Sequence, residues 1–167
     1  DAINNSAAGN AADLTIANGG KATACLVTLP TTIADMAVVL VNDAGKAKIV
    51  DVKDFIIGRG QSPKQAINIK NASEFDTSIV TSESEWNTAI GANTAKIVVL
   101  GEVPIASAQN LNSISNKIAV SYIGKESGLI FNSTFAMASD SKTLLFDCVT
   151  AFNQGITVTA GTLSLNN

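Results

Sequence analysis

Between residues 96 and 165 the sequence places short β-type runs one after another, with no tight hairpin turn to join them. The runs are KIVVL (96–100), VPIA (103–106), KIAVSYI (117–123), GLIF (128–131), LLFDCV (144–149), ITVT (156–159) and TLSL (162–165). Neither Asn-Gly nor Asp-Gly, the pairs that close two-residue hairpins, occurs in this stretch. A strand that does not fold back on its neighbour must find a partner further along the chain. The strongest runs begin at 96, 117 and 144, intervals of 21 and 27 residues, which is the length of one coil of a solenoid. Gly101, Gly124, Gly128, Gly155 and Gly161 fall at or near the corners, and the connecting loops are rich in Ser and Asn. Parallel pairing with the equivalent strand one coil later then satisfies each backbone. The pattern predicts a mainly β chain carrying a parallel β-solenoid. A compact β-sandwich with long loops is the alternative.

A solenoid exposes a raw strand edge and an apolar end at each terminus, so each needs a cap or another chain. SESEWNTAIGAN (82–93) reads as the cap at the first coil. Ser82 and Glu85 stand at capping-box spacing, and Trp86 and Ile90, four apart, share one helical face that covers the coil end. Asn93 is the stop. The closing ITVTAGTLSLNN carries no capping motif, so that end either continues or joins an oligomer.

Four segments follow. Residues 1–24 are small and polar, with Ile3, Leu14 and Ile16 as their large apolar anchors, and read as a loose tail or an extended arm ordered by a partner. Ala2, Ile3, Leu14 and Ile16 are the docking candidates. Residues 25–57 form a small unit: the strand CLVTLP, then a hairpin in MAVVLVNDAGKAKIVDV turning at Asn42–Gly45, then VKDFII as a short helix. Residues 58–81 are a linker with one strand, AINIK, and residues 82–167 are the helix-capped solenoid.

Chemistry is sparse. The chain has no histidine and no CxxC spacing, which removes the usual hydrolase triad and a zinc site. Cys25 and Cys148 read as buried thiols, with a disulfide left open. Ser141 and Lys142 are adjacent, which sends them to opposite faces of a strand. The carboxylate pairs Asp140/Asp147 and Glu102/Glu126 read as solvated loop charge. No catalytic, cofactor-binding or metal-binding set is assigned. Net charge is −3, and the basic cluster Lys46, Lys48, Lys53, Arg59, Lys64, Lys70 is interrupted by Asp51 and Asp54, which argues against nucleic acid as a partner. No apolar run reaches the roughly 18 residues of a membrane helix. Charged residues make up 15%, against roughly 25% in an average soluble domain, a polar but non-ionic surface that suits virion, extracellular or repeat β-proteins.

GGKATACLVTLP followed by AVVLVNDAGKAKIVDVKDFI resembles the particle-proximal parts of tailed-phage structural proteins, head fibres and capsid decoration proteins among them. SEWNTAIGANTAKIVVLGEV and IAVSYIGKESGLIF resemble the capped start of a right-handed parallel β-helix, as in pectate-lyase-like folds and phage fibres. The resemblance implies a non-enzymatic virion protein: a trimer whose arm lies on the capsid while the β-helix projects outward. Its partners would be capsid or other virion proteins, with a host surface glycan as a further one. Two other readings stand beside it: a secreted β-helix polysaccharide lyase or hydrolase, and a glycan-binding cell-surface adhesin.

Overall fold

The computed structural model describes residues 31–166 apart from 62, 65, 113, 115, 116, 148 and 149. The candidate arm residues Ala2, Ile3, Leu14 and Ile16, the run CLVTLP and both cysteines lie outside the described residues. Two compact units divide the chain, one of Val39–Ile49 and Ile69–Asn167, the other of Asp1–Val38 and Val50–Asn68.

Strands β1 (Thr31–Val41) and β2 (Lys46–Ile57) form the hairpin expected from the sequence. Its turn is built by Asn42, whose side-chain oxygen accepts from the N–H of Ala44 at 3.1 Å and of Lys46 at 2.9 Å. Gly45 supplies the left-handed residue, φ +70°. VKDFII is strand to Ile57 rather than helix, irregular only at Asp54, φ +51°. Its β-branched and aromatic residues favour the extended ladder.

The unit containing residues 69–167 is a β-solenoid of about four turns. Its elements are β3 (Thr77–Val80), helix α1 (Glu83–Gly91), β4 (Lys96–Ile105), β5 (Gln109–Leu111), β6 (Ile118–Phe131), β7 (Phe135–Asp147), β8 (Thr150–Phe152) and β9 (Ile156–Asn166). Every pairing among β3 to β9 is parallel, which rules out the sandwich alternative. Registers sort the strands into three faces. The first stacks Ser78, Ile97, Val120, Phe146 and Leu165 in one column, 19, 23, 26 and 19 residues apart. The second stacks Ile105, Phe131 and Phe152. The third stacks Gln109, Phe135 and Ile156.

The long strands bend around corners. In β4 the ladder shifts between Leu100 and Glu102, where Gly101 takes φ +75°. There Ser127 Oγ accepts from the Gly101 N–H at 2.8 Å and donates to the Ile123 carbonyl, filling the gap the corner leaves in the ladder. Side chains fill the lumen: Ile97, Val99, Val103, Ile105, Val120, Leu129, Phe131, Phe135, Met137, Leu144 and Phe146 are all buried. Each contributes on the order of 1.5–3 kcal/mol by burial.

The stretch 58–81, expected to be a linker, holds the first solenoid strand. β3 (TSIV) extends the first face, while AINIK (66–70), expected to be a strand, forms none. Pairing decides this, not propensity: Ser78 and Val80 fall over Ile97 and Val99 in the first face.

Candidate functional site

Without a clustered reactive set, the features that distinguish one part of the solenoid from another are its two ends. At the N-terminal end β2 turns antiparallel onto β3, pairing Lys46 with Ser78 and Ala47 with Thr77, and so occupies the outer edge of the first face there. The Lys46 amine donates to Ser78 Oγ at 2.7 Å and to Thr94 Oγ1 at 3.1 Å. Lys48 pairs with Glu74. That hydrogen bond first, then the N–H groups of Lys70 and Asn71, holds the Glu74 carboxyl at about 2, well below its ordinary 4.5.

Helix α1 replaces the other two faces in the first coil. Ser82 is its N-cap, accepting from the Glu85 N–H at 3.3 Å. Glu85 reaches back to Thr81, one residue before the position a capping box would use. Asn93, the expected stop, sits in the left-handed region at φ +51°, just past the helix. Glu83, in the first turn, accepts from the N–H groups of Ala106 (3.1 Å) and Ser107 (2.8 Å) and from the Ser107 hydroxyl. Those donors hold its carboxyl below the usual range. They are corner N–H groups of the next coil, where no strand of the described residues lies above. On the second face the β4 edge carries Pro104, which has no N–H to leave unpaired.

Trp86 is completely buried, and Ile90 is half-buried against the same cluster. Trp86 does more than lie across the end. Its ring points down the lumen to Phe131 of the third coil and Phe146 of the fourth, with centroids 5.8 and 6.1 Å away. The indole N–H donates to Gln109 Oε1 at 2.9 Å, and Gln109 Nε2 donates to Asn87 Oδ1 at 3.3 Å. Gln109 is therefore a buried amide at an inward position where the later coils have Phe135 and Ile156. Sequence reading passed over QNL as loop because a three-residue strand with an inward polar residue has no periodic signal.

Among the described residues the last coil carries none of these devices. There β8 pairs only with β6 and β9 only with β7. Leu165 lies over Phe146, Ile156 over Phe135 and Val158 over Met137. The lower members are at most 1% exposed, the upper ones 52%, 43% and 41%. Thr150–Asn166 contains no charged residue and no proline.

Other candidates separate. Asp140 and Asp147 are both exposed, Asp147 facing out beside inward Phe146, as alternation required. Ser141 lies at a corner with φ +58°. Lys46 and Ser78 resemble a base and nucleophile, yet Ser78 and Thr94 are each only 8% exposed and both accept from the amine. The trio satisfies a buried-edge lysine and offers a substrate no approach. Among the described residues no three of His, Cys, Asp and Glu gather as a metal site, and no helix is long and apolar enough to cross a membrane. A groove of about 400 Å³ between α1 and the β5 corner is lined by uncharged residues, Asn87, Ile90, Asn93, Ser107 and Asn110 among them.

The chain matches no family model, no curated protein and no solved structure. The fold alone defines its class: it is a β-solenoid protein with a helix over its first coil.

Proposed function

We propose that the chain is a structural, non-enzymatic virion protein of the head-fibre or capsid-decoration kind. Its N-terminal region anchors it and its solenoid projects outward, three copies associating side by side. The observation that carries this reading is the cover over the first coil. A solenoid that begins under a hairpin strand and a helix has a direction, which a projecting element needs. The filled lumen and dispersed carboxylates agree with a role built on geometry, and the resemblance of residues 19–30 and 37–56 to particle-proximal phage segments supports a place on the particle. Immunogold labelling of phage particles from the source culture, with antibody against the purified chain, tests it. Label on capsids is expected. Particles without label overturn the reading.

The uncharged groove beside α1 favours a second reading, a glycan-binding surface module. Amide and hydroxyl side chains over an apolar floor match a neutral saccharide better than a charged one. A neutral-glycan array with the wild type and Asn110→Ala tests that: binding lost in the variant supports it, and no binding by the wild type removes it.

A further inference from the structure

We infer that α1 is an acid-releasable cover: protonation of the carboxylates around it detaches the helix from the first coil while the later coils stay folded. The inference is independent of the virion reading.

Geometry carries it. A nine-residue helix is too short to hold its shape alone, so α1 stays in place through its contacts. Glu83 fastens its first turn, and both carboxylate oxygens are in use. Oε1 accepts from the Ser107 N–H and hydroxyl, and Oε2 from the Ala106 N–H. A proton on either oxygen turns a hydrogen towards an N–H and removes an acceptor. Just upstream, Glu74 and Asp76 are occupied in the same way. Glu74 Oε1 accepts from the N–H groups of Lys70 (2.6 Å) and Asn71 (3.0 Å), and Oε2 from Lys48. Asp76 Oδ1 accepts from the Thr77 hydroxyl at 3.1 Å, and Oδ2 from Lys96. Glu85, on the helix itself, accepts from Thr81. Among the described residues, β4 sets Lys96 and Glu102 beside α1, β3 and β5 carry no ionisable side chain, and Lys46 of β2 reaches Thr94 behind the helix C-terminus. The donors hold the Glu83 carboxyl below its ordinary 4.5 and that of Glu74 at about 2. The fastening is therefore complete above 4.5 and is lost as pH falls through the folded values.

Joints of the later coils are made by neutral groups. Ser127 bridges Gly101 and Ile123, Ser139 donates to the Leu111 carbonyl at 2.8 Å, and Asn153 donates to Asn132 Oδ1 at 2.8 Å. Acid leaves these unchanged, so α1 is released first. Its release uncovers the Gln109 amide, the corner N–H groups of Ala106 and Ser107, and the mouth of the apolar lumen.

Trp86 is the one tryptophan of the chain and is fully buried, so it reports on the cover. The test takes the wild type from neutral pH to about 2, following acrylamide quenching of Trp86 and the far-UV circular dichroism of the strands. Trp86 is expected to become quenchable at a higher pH than that at which the strand signal is lost. Glu83→Gln lacks one of the two acceptors at every pH. It should raise quenching at neutral pH about threefold, the modest weight of an exposed charged contact, with the strand signal unchanged. Asp147→Asn, at an exposed carboxylate of the fourth coil, should change neither signal. Coincident loss of both signals in the wild type overturns the inference, and that titration decides without any variant. Quenching in folded Glu83→Gln equal to that of the wild type overturns it too.

Discussion

The two ends of one solenoid solve the same physical problem differently. Both terminate a stack of parallel strands, and both cut through the same inward columns. At the N-terminal end several groups have a local answer: β2 for Thr77 and Ser78 of β3, Glu83 for the corner N–H groups of Ala106 and Ser107, Trp86 for the lumen. At the C-terminal end the same columns finish in Leu165, Ile156 and Val158, with no residue of the described chain beyond them. The coil is thus a unit that cannot complete itself. What sets the N-terminal end apart is that completing groups come from residues of the described chain beside it.

The largest expected contrast is between Trp86→Ala and Leu165→Ala. Trp86 is fully buried and touches rings of two coils, so its removal should cost about 3–5 kcal/mol in urea unfolding. Leu165 is half-exposed, and its truncation in a dilute sample should cost less than about 1 kcal/mol. Equal costs would erase the distinction between the ends. Next comes Gly161→Ala, at a corner with φ +85°, where a Cβ would lie 2.4 Å from the Ser139 carbonyl oxygen. Strain and clash together should lower stability by about 2 kcal/mol or more, read from the unfolding midpoint. Ser82→Ala removes the helix N-cap and should cost about 1 kcal/mol in the same assay, loosening the closed end alone.

The smallest effect is on pH dependence. Glu74 titrates at about 2 in the fold and near 4.5 when unfolded, its folded value depressed chiefly by Lys48. A depressed carboxyl adds stability that is complete above pH 4.5 and disappears as pH falls towards 2. Lys48→Gln should flatten stability against pH across that window. An unchanged slope would show that the pair contributes nothing to closing the end.

Much of the solenoid was legible in the sequence because its strongest runs, at 96, 117 and 144, are the long inward faces of successive coils. The cap was legible because Ser82, Trp86 and Ile90 obey helix spacing, which is local. What escaped was set by pairing at a distance. TSIV looks like part of a polar linker until Ser78 and Val80 are seen over Ile97 and Val99. QNL and TAF are three-residue strands too short to show a period. The role of Glu83 depends on corner N–H groups 23 and 24 residues away. No spacing rule finds such a partner, although an acidic residue in the first turn of a capping helix is a signal to look for one.

Residue-resolved amide hydrogen exchange on dilute protein tests the account most directly, because it reads both ends in one experiment. β3 amides should exchange as slowly as those of β6 in the middle of the stack, while β9 amides exchange fastest among the solenoid strands. If β3 exchanges as fast as β9, or β9 as slowly as β6, then the ends are not closed and open in the way described.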